Sequence, residues 1–159
     1  MSRPYAFPAP TDVAGSVQRA GLSLNFDTAV QAHFHVHLEV FLMGGQVAVP
    51  AGIGIDDRSG AMSPLHTHDD SGIVHIEGSR GQRITLGQLF TEWGQPLGPN
   101  SIGNVQSRPG FTIHWFVNGR VVTDPAAVVL QPHDTIVAFE TAVPASAVSP
   151  PTYAWPSGF

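Results

Sequence analysis

The chain has no cysteine and no lysine among its 159 residues. Without a thiol there is no cysteine nucleophile, no disulfide framework and no thiolate-ligated zinc or iron–sulfur site. Without lysine there is no Schiff base and no phosphate-cradling loop of the kind that needs one. Charge is scarce as well. Asp, Glu, Lys and Arg make up 12% of the chain, about half of the usual ~25%. The seven strong bases are all arginines, scattered singly, and the formal net charge is −5. A nucleic acid or an anionic membrane surface needs a basic patch, so both are excluded as partners. No stretch approaches the ~20 apolar residues of a membrane span, and Met1 to Pro10 lack the apolar run of a signal peptide. The expectation is a soluble, cytoplasmic protein.

What remains is histidine, carboxylate and hydroxyl chemistry, and the eight histidines outnumber the strong bases. With seventeen glycines and fourteen prolines, the composition reads as a compact, loop-rich domain that is mainly β. Three regions are expected: an N-terminal extension over 1–32 with a short helix from Thr11 through Ala20, one β-rich domain over 33–141, and a proline- and aromatic-rich tail over 142–159 laid on the body or on a partner. From His33 the pattern has period two, with Phe34, Val36, Leu38, Val40 and Leu42 on one face and His33, His35, His37, Glu39 and Phe41 on the other. Met43-Gly44-Gly45-Gln46 reads as a hairpin turn and Ile53-Gly54-Ile55 as a short strand. Residues 56–72 read as loop, and Ile73 to Glu77 as a strand. Thr85-x-x-Gln88 has capping-box form, opening a helix whose apolar face is Leu86, Leu89, Phe90 and Trp93. Residues 98–110 read as loop. Asn118-Gly119 joins a hairpin from Phe111 to Val122, and a last strand runs from Thr135 to Phe139.

Laid over Thr112–Leu130 at a constant offset of 75, His37–Ile55 aligns without a gap and matches Phe41, Gly44, Val47, Pro50 and Ala51 with identical residues. An internal repeat of two hairpin-containing halves is one source of that match; convergence of two common hairpins is the other. The first half carries an additional stretch, Pro64-Leu65-His66-Thr67-His68-Asp69-Asp70, and six of the eight histidines fall within residues 33–75.

Alternate strand residues point to one side about 6.6–6.8 Å apart, so both rings of a His-x-His pair can converge on a metal at ~2.0–2.1 Å from each nitrogen. His35-Val-His37 and His66-Thr-His68 both have this form. The ends of the His33, His35, His37 run are about 13 Å apart in a strand, so two of the three share an ion or the run serves two ions. His75 and Glu77 follow on one strand face. One such pair alone is more simply a solvated polar face, but the concentration of six favours ligation by His33, His35, His37, His66, His68 and His75. Glu77 and Asp69 are the candidate acid/base groups, although Asp69-Asp70-Ser71-Gly72 is also a simple turn. His114 and His133 read as structural. Nitrogen and oxygen donors without sulfur suit zinc, copper or iron.

The segment from Pro64 to Glu77, with His33-x-His35-x-His37-Leu38 before it and Thr85-Leu86-Gly87-x-Leu89-Phe90-x-x-Trp93-Gly94 after it, resembles a family of small, functionally uncharacterised prokaryotic proteins. Its members pair an H-x-H-x-H-L strand with an L-H-T-H-D-x-x-G-x-I-H-x-E segment. The resemblance implies that the histidines belong to one site and implies no particular reaction. The H-T-H…E run is also similar to the metal motif of cupins, with a longer spacing to Glu77 than the cupin pattern has. Three classes stay open: a metalloenzyme (hydrolase, lyase or mononuclear oxygenase) acting on a small molecule, a metal carrier or sensor without turnover, and an interaction module that assembles copies through its tail and sheet edges.

Overall fold

The computed structural model describes residues 7–25 and 30–159; residues 1–6 and 26–29, both within the expected N-terminal extension, lie outside the described residues. Alternation builds the central strand, β1 (Ala32–Leu42). Its even positions Val36, Leu38, Val40 and Leu42 are at most 1% exposed, as period two requires of a strand with one face on a core. Its odd positions present His33, His35 and His37 on the opposite face. At Met43-Gly44 both residues take positive φ, 54° and 77°, the turn geometry whose twist matches the flanking strands. The chain returns as β2 (Gly45–Val47) along the end of β1.

Further back on that edge, β1 pairs antiparallel with β4 (Ile73–Gly78), which carries on its far side the two-residue strand β3 (Leu65–His66). On its other edge β1 runs parallel to β10 (Thr135–Thr141). β10 pairs antiparallel with β8 (Thr112–Val117), itself hairpinned to β9 (Arg120–Val122) through Asn118-Gly119, with φ of 50° and 78°. One seven-stranded sheet results, in the order β3-β4-β1-β10-β8-β9 with β2 beside β1. The architecture is mainly β, as the composition predicts. The two hairpins share a turn type at corresponding positions, but a duplication of the halves is not confirmed by that local likeness.

The core lies between the even face of β1 and helix α2 (Leu86–Trp93). The Thr85 side chain accepts from the Gln88 N–H, the Gln88 side chain accepts from the Thr85 N–H, and the helix stops at Gly94, whose φ is 78°. Leu86, Leu89, Phe90 and Trp93 are at most 1% exposed, and burying side chains of this size stabilises by about 1.5–3 kcal/mol each. Phe90 meets Trp115 of β8 edge-on at 5.8 Å. The N-terminal helix α1 (Val13–Arg19) packs on α2, and the Trp93 indole N–H donates to the Pro8 carbonyl at 3.1 Å, tying the extension to the body.

Three segments depart from the sequence reading. Ile53–Ile55 is not a strand: Gly52 and Gly54 take φ of 86° and 70°, Ile53 turns into the core, and Ile55 makes a single bridge to Met62. Residues 98–110 are not simply loop, since Leu97–Gly98, Ser101–Ile102 and Val105–Gln106 form a small second sheet, β5 to β7. The expected loop over 56–72 also supplies β3. Two-residue strands offer too few positions for an alternation to register.

The tail crosses the odd face of the main sheet. Tyr153 stacks on His37 with ring centroids 3.4 Å apart, Trp155 stacks on His133 at 4.7 Å, and Phe159 meets His35 edge-on at 4.8 Å. Among the described residues no helix is long and apolar enough to cross a membrane.

Candidate metal centre

Strand register assembles the histidines. β1 and β4 pair so that His33 stands opposite Glu77 and His35 opposite His75, and β3 sets His66 opposite His75. Directly opposed residues share a face and lie about 4.5–5.5 Å apart. His66, His75 and His35 therefore form a row across three strands, with His33 and Glu77 in the adjacent row. His68, exposed just beyond β3, brings its ring centroid to 4.8 Å from that of His66 and 4.6 Å from that of His75.

The donor atoms fall into two sets that share His75. One is His33, His35 and His75, the other His66, His68 and His75, and within each set the donors lie within 4.8 Å of one another. In the first, His35 Nε2 is 3.1 Å from His33 Nε2 and 3.1 Å from His75 Nδ1. Glu77 Oε1 is 3.2 Å from His33 Nε2 and 3.8 Å from both His66 Nε2 and His75 Nδ1. Around a cation with ~2.1 Å bonds, neighbouring donors stand about 3.0 Å apart in an octahedron and about 3.4 Å apart in a tetrahedron. The three shorter separations lie in that interval.

The surroundings of His66 fix its tautomer. Its Nδ1 is 2.8 Å from the Ser63 carbonyl, which only accepts, so Nδ1 carries the proton and Nε2 the lone pair. His66 is 1% exposed, and Nε2 is buried without a hydrogen-bond partner. An unpaired buried polar atom of this kind costs about 1–3 kcal/mol, and a cation would satisfy it. The Ser63 carbonyl is held in place from behind: its hydroxyl donates to Glu92 Oε1 at 2.5 Å and accepts from the Leu65 N–H at 3.2 Å. Gly54 closes over the same spot. A Cβ there would run into the Leu65 carbonyl and lie 2.7 Å from Glu92 Oε2 and 3.2 Å from His66 Cβ, so the loop reaches His66 only through glycine.

Burial lowers the pKa of His35, His66 and His75. His75 is brought to about 4, with His35, His68, His66 and His33 adding to the effect of burial; His33 adds to it at His35, whereas the Ser63 carbonyl opposes it at His66. All three are neutral near pH 7, the state that ligates. Burial pushes the Glu92 carboxyl up to about 8, so behind the site it holds a proton at neutral pH.

Not every expected residue joins. His37 lies on the same face but outside both sets: its Nε2–H donates to the Ser71 carbonyl at 2.9 Å, and its ring is covered by Tyr153. Asp69 is exposed and accepts from the Ser71 N–H and hydroxyl, bonds that hold its carboxyl below the usual range. It serves the turn. His133 caps a turn with φ of 62°, and His114 faces the Val143 carbonyl at 3.2 Å. Ser63 and Glu92 escaped the sequence reading, although an acid three residues after Leu89, next to Trp93 on the apolar side of α2, was a signal that a buried carboxyl was there.

A cavity of about 380 Å³ opens beside His66 and Glu77, lined also by Ser63, Asn25, Ser79 and Gln82, and Glu77 is the one charged residue among its described lining. No protein family, curated protein or solved structure matches the chain. Function is therefore argued from this geometry.

Proposed function

We propose that the protein binds a transition metal, zinc, copper or iron, through the imidazoles of its histidine face. The observation that carries the reading is His66 Nε2: buried, fixed by the Ser63 carbonyl as the unprotonated nitrogen, without a partner, and beside the donors of His68 and His75. Imidazole and carboxylate donors suit these ions and leave the choice among them to coordination number. Membership of the H-x-H-x-H-L family belongs to the same proposal.

The cavity favours catalysis over storage, because it leaves room for a small molecule against His66 and Glu77. Held by His66, His68 and His75, a metal would supply Lewis-acid chemistry toward a bound water or a substrate oxygen, and Glu77 would take or give the proton. Assembly through sheet edges finds less support, since the edge strands β3 and β9 have two and three residues.

The test is metal content of the untagged full chain after dialysis against zinc, cobalt or copper. At least one equivalent is expected, reduced in affinity at least about 100-fold by His66→Ala and unchanged by His114→Ala. Less than a tenth of an equivalent of every ion overturns the reading. In the cobalt-loaded protein, azide should shift the visible spectrum if a coordination position faces the cavity; no shift would leave a carrier or sensor.

A further inference from the structure

The two sets of donors point to a second ion. Resting on the metal-binding reading above, we infer that the centre holds two metal ions, one at His66 and His68 and one at His33 and His35, with His75 and Glu77 between them.

The first ground is partition. The donors form two sets of three, and neither set contains a nitrogen pair drawn from both His33 or His35 and His66 or His68. One ion takes one set. The second ground is specific to the His33, His35, His75 set and independent of His66. A ring nitrogen has one in-plane hydrogen or one lone pair, so it completes one hydrogen bond. His35 Nε2 nevertheless has two nitrogen neighbours, His33 Nε2 and His75 Nδ1, both at 3.1 Å. Two neighbours at that distance can share one ring proton only in a three-centre bond, whereas three lone pairs converging on one point are what a cation takes. The third ground is what lies between. Imidazole has two nitrogens, and Nδ1 of His75 is the one beside His35; to bridge through the other as well, the ring would give up its N–H proton to solvent and bind as imidazolate. Glu77 Oε1 is within 3.2 Å of His33 and 3.8 Å of His66, the place of a carboxylate shared by two ions.

The two positions differ in surroundings. The cavity touches His66 and Glu77, while Phe159 lies 4.8 Å from His35 and 6.2 Å from His75, beside the half-exposed His33.

His33 and His68 are both exposed, so removing either spares the core. The full chain and its His33→Ala and His68→Ala variants are dialysed against the lowest free zinc that saturates the wild type, and bound zinc is counted per chain. Two equivalents are expected for the wild type, one for each single variant and fewer than half an equivalent for the double variant. Saturation of the wild type at one equivalent, or two equivalents retained in either single variant, overturns the second ion while leaving metal binding intact. No zinc in any form overturns both. With copper(II), the integrated electron paramagnetic resonance signal should fall below that of two isolated ions when the second equivalent is added. A signal that grows linearly to two equivalents overturns the sharing of His75 and Glu77.

Discussion

The pair β1 with β4 and the pair β10 with β8 are both antiparallel, joined side by side through the parallel contact of β1 and β10, yet their faces on the side away from α2 have different chemistry. On the first, His33 stands opposite Glu77 and His35 opposite His75. On the second, Val137 stands opposite Phe116 and Phe139 opposite His114. The lone His114 finds a carbonyl, while three imidazoles in one register row find one another. A histidine's neighbours across the strand decide its role. Two of the buried acids, Glu140 and Glu92, repeat the contrast. Glu140 of β10 receives two hydrogen bonds on one oxygen from the Arg108 guanidinium, both at 3.2 Å, whereas Glu92 behind the histidine cluster has only the Ser63 hydroxyl, and the second oxygen of each is buried without a partner.

The largest effect that would sharpen this contrast comes from Glu92. Its carboxyl titrates near 8 in the folded chain against an ordinary value of 4.5, so the folded state holds one more proton than the unfolded state between those limits. The group's stabilising contribution is complete below about pH 4.5 and is lost as pH rises through 8, on the order of 5 kcal/mol across the whole window. Glu92→Gln should flatten that slope and raise the melting temperature at pH 8; an unchanged pH profile would show that Glu92 ionises without penalty.

Zinc should follow with a smaller effect. At a free concentration about 100 times its Kd, one bound ion adds about 2.7 kcal/mol, a rise of roughly 5–10 °C in melting temperature for a chain of this size. The rise should persist in full in His114→Ala and be reduced in His66→Ala. Equal responses of the two variants in calorimetry would erase the distinction between the halves. The smallest effect belongs to the tail. Trp155→Ala removes a ring stacked on His133, and should destabilise by about 1 kcal/mol with no change in the metal count. A loss of metal in that variant would make the tail part of the ligand shell.

Much of this was readable one element at a time. The period-two face of His33, His35 and His37, the capping box of α2 and the Asn118-Gly119 turn are each written within a dozen residues, and the structure has all three where local chemistry puts them. The segments that escaped were those without enough positions to carry a period: β3, the three strands of the small sheet, and the turns around Ile53. Glu92 escaped for another reason. Its burial depends on Ser63 and Gly54 arriving from a distant loop.

By itself, the sequence determined which residues share a strand face and how many donors the chain can offer, because alternation and turn geometry are local properties of the backbone. Which donors meet was decided by the tertiary structure alone. His66, His75 and His35 are separated by up to forty residues and become neighbours through the register of β3, β4 and β1, and a slip of one residue in either pairing would send an imidazole to the core face. His37 shows the same rule from the other side: it has the right residue type and the right parity, and the register leaves it opposite Ile73 rather than another donor.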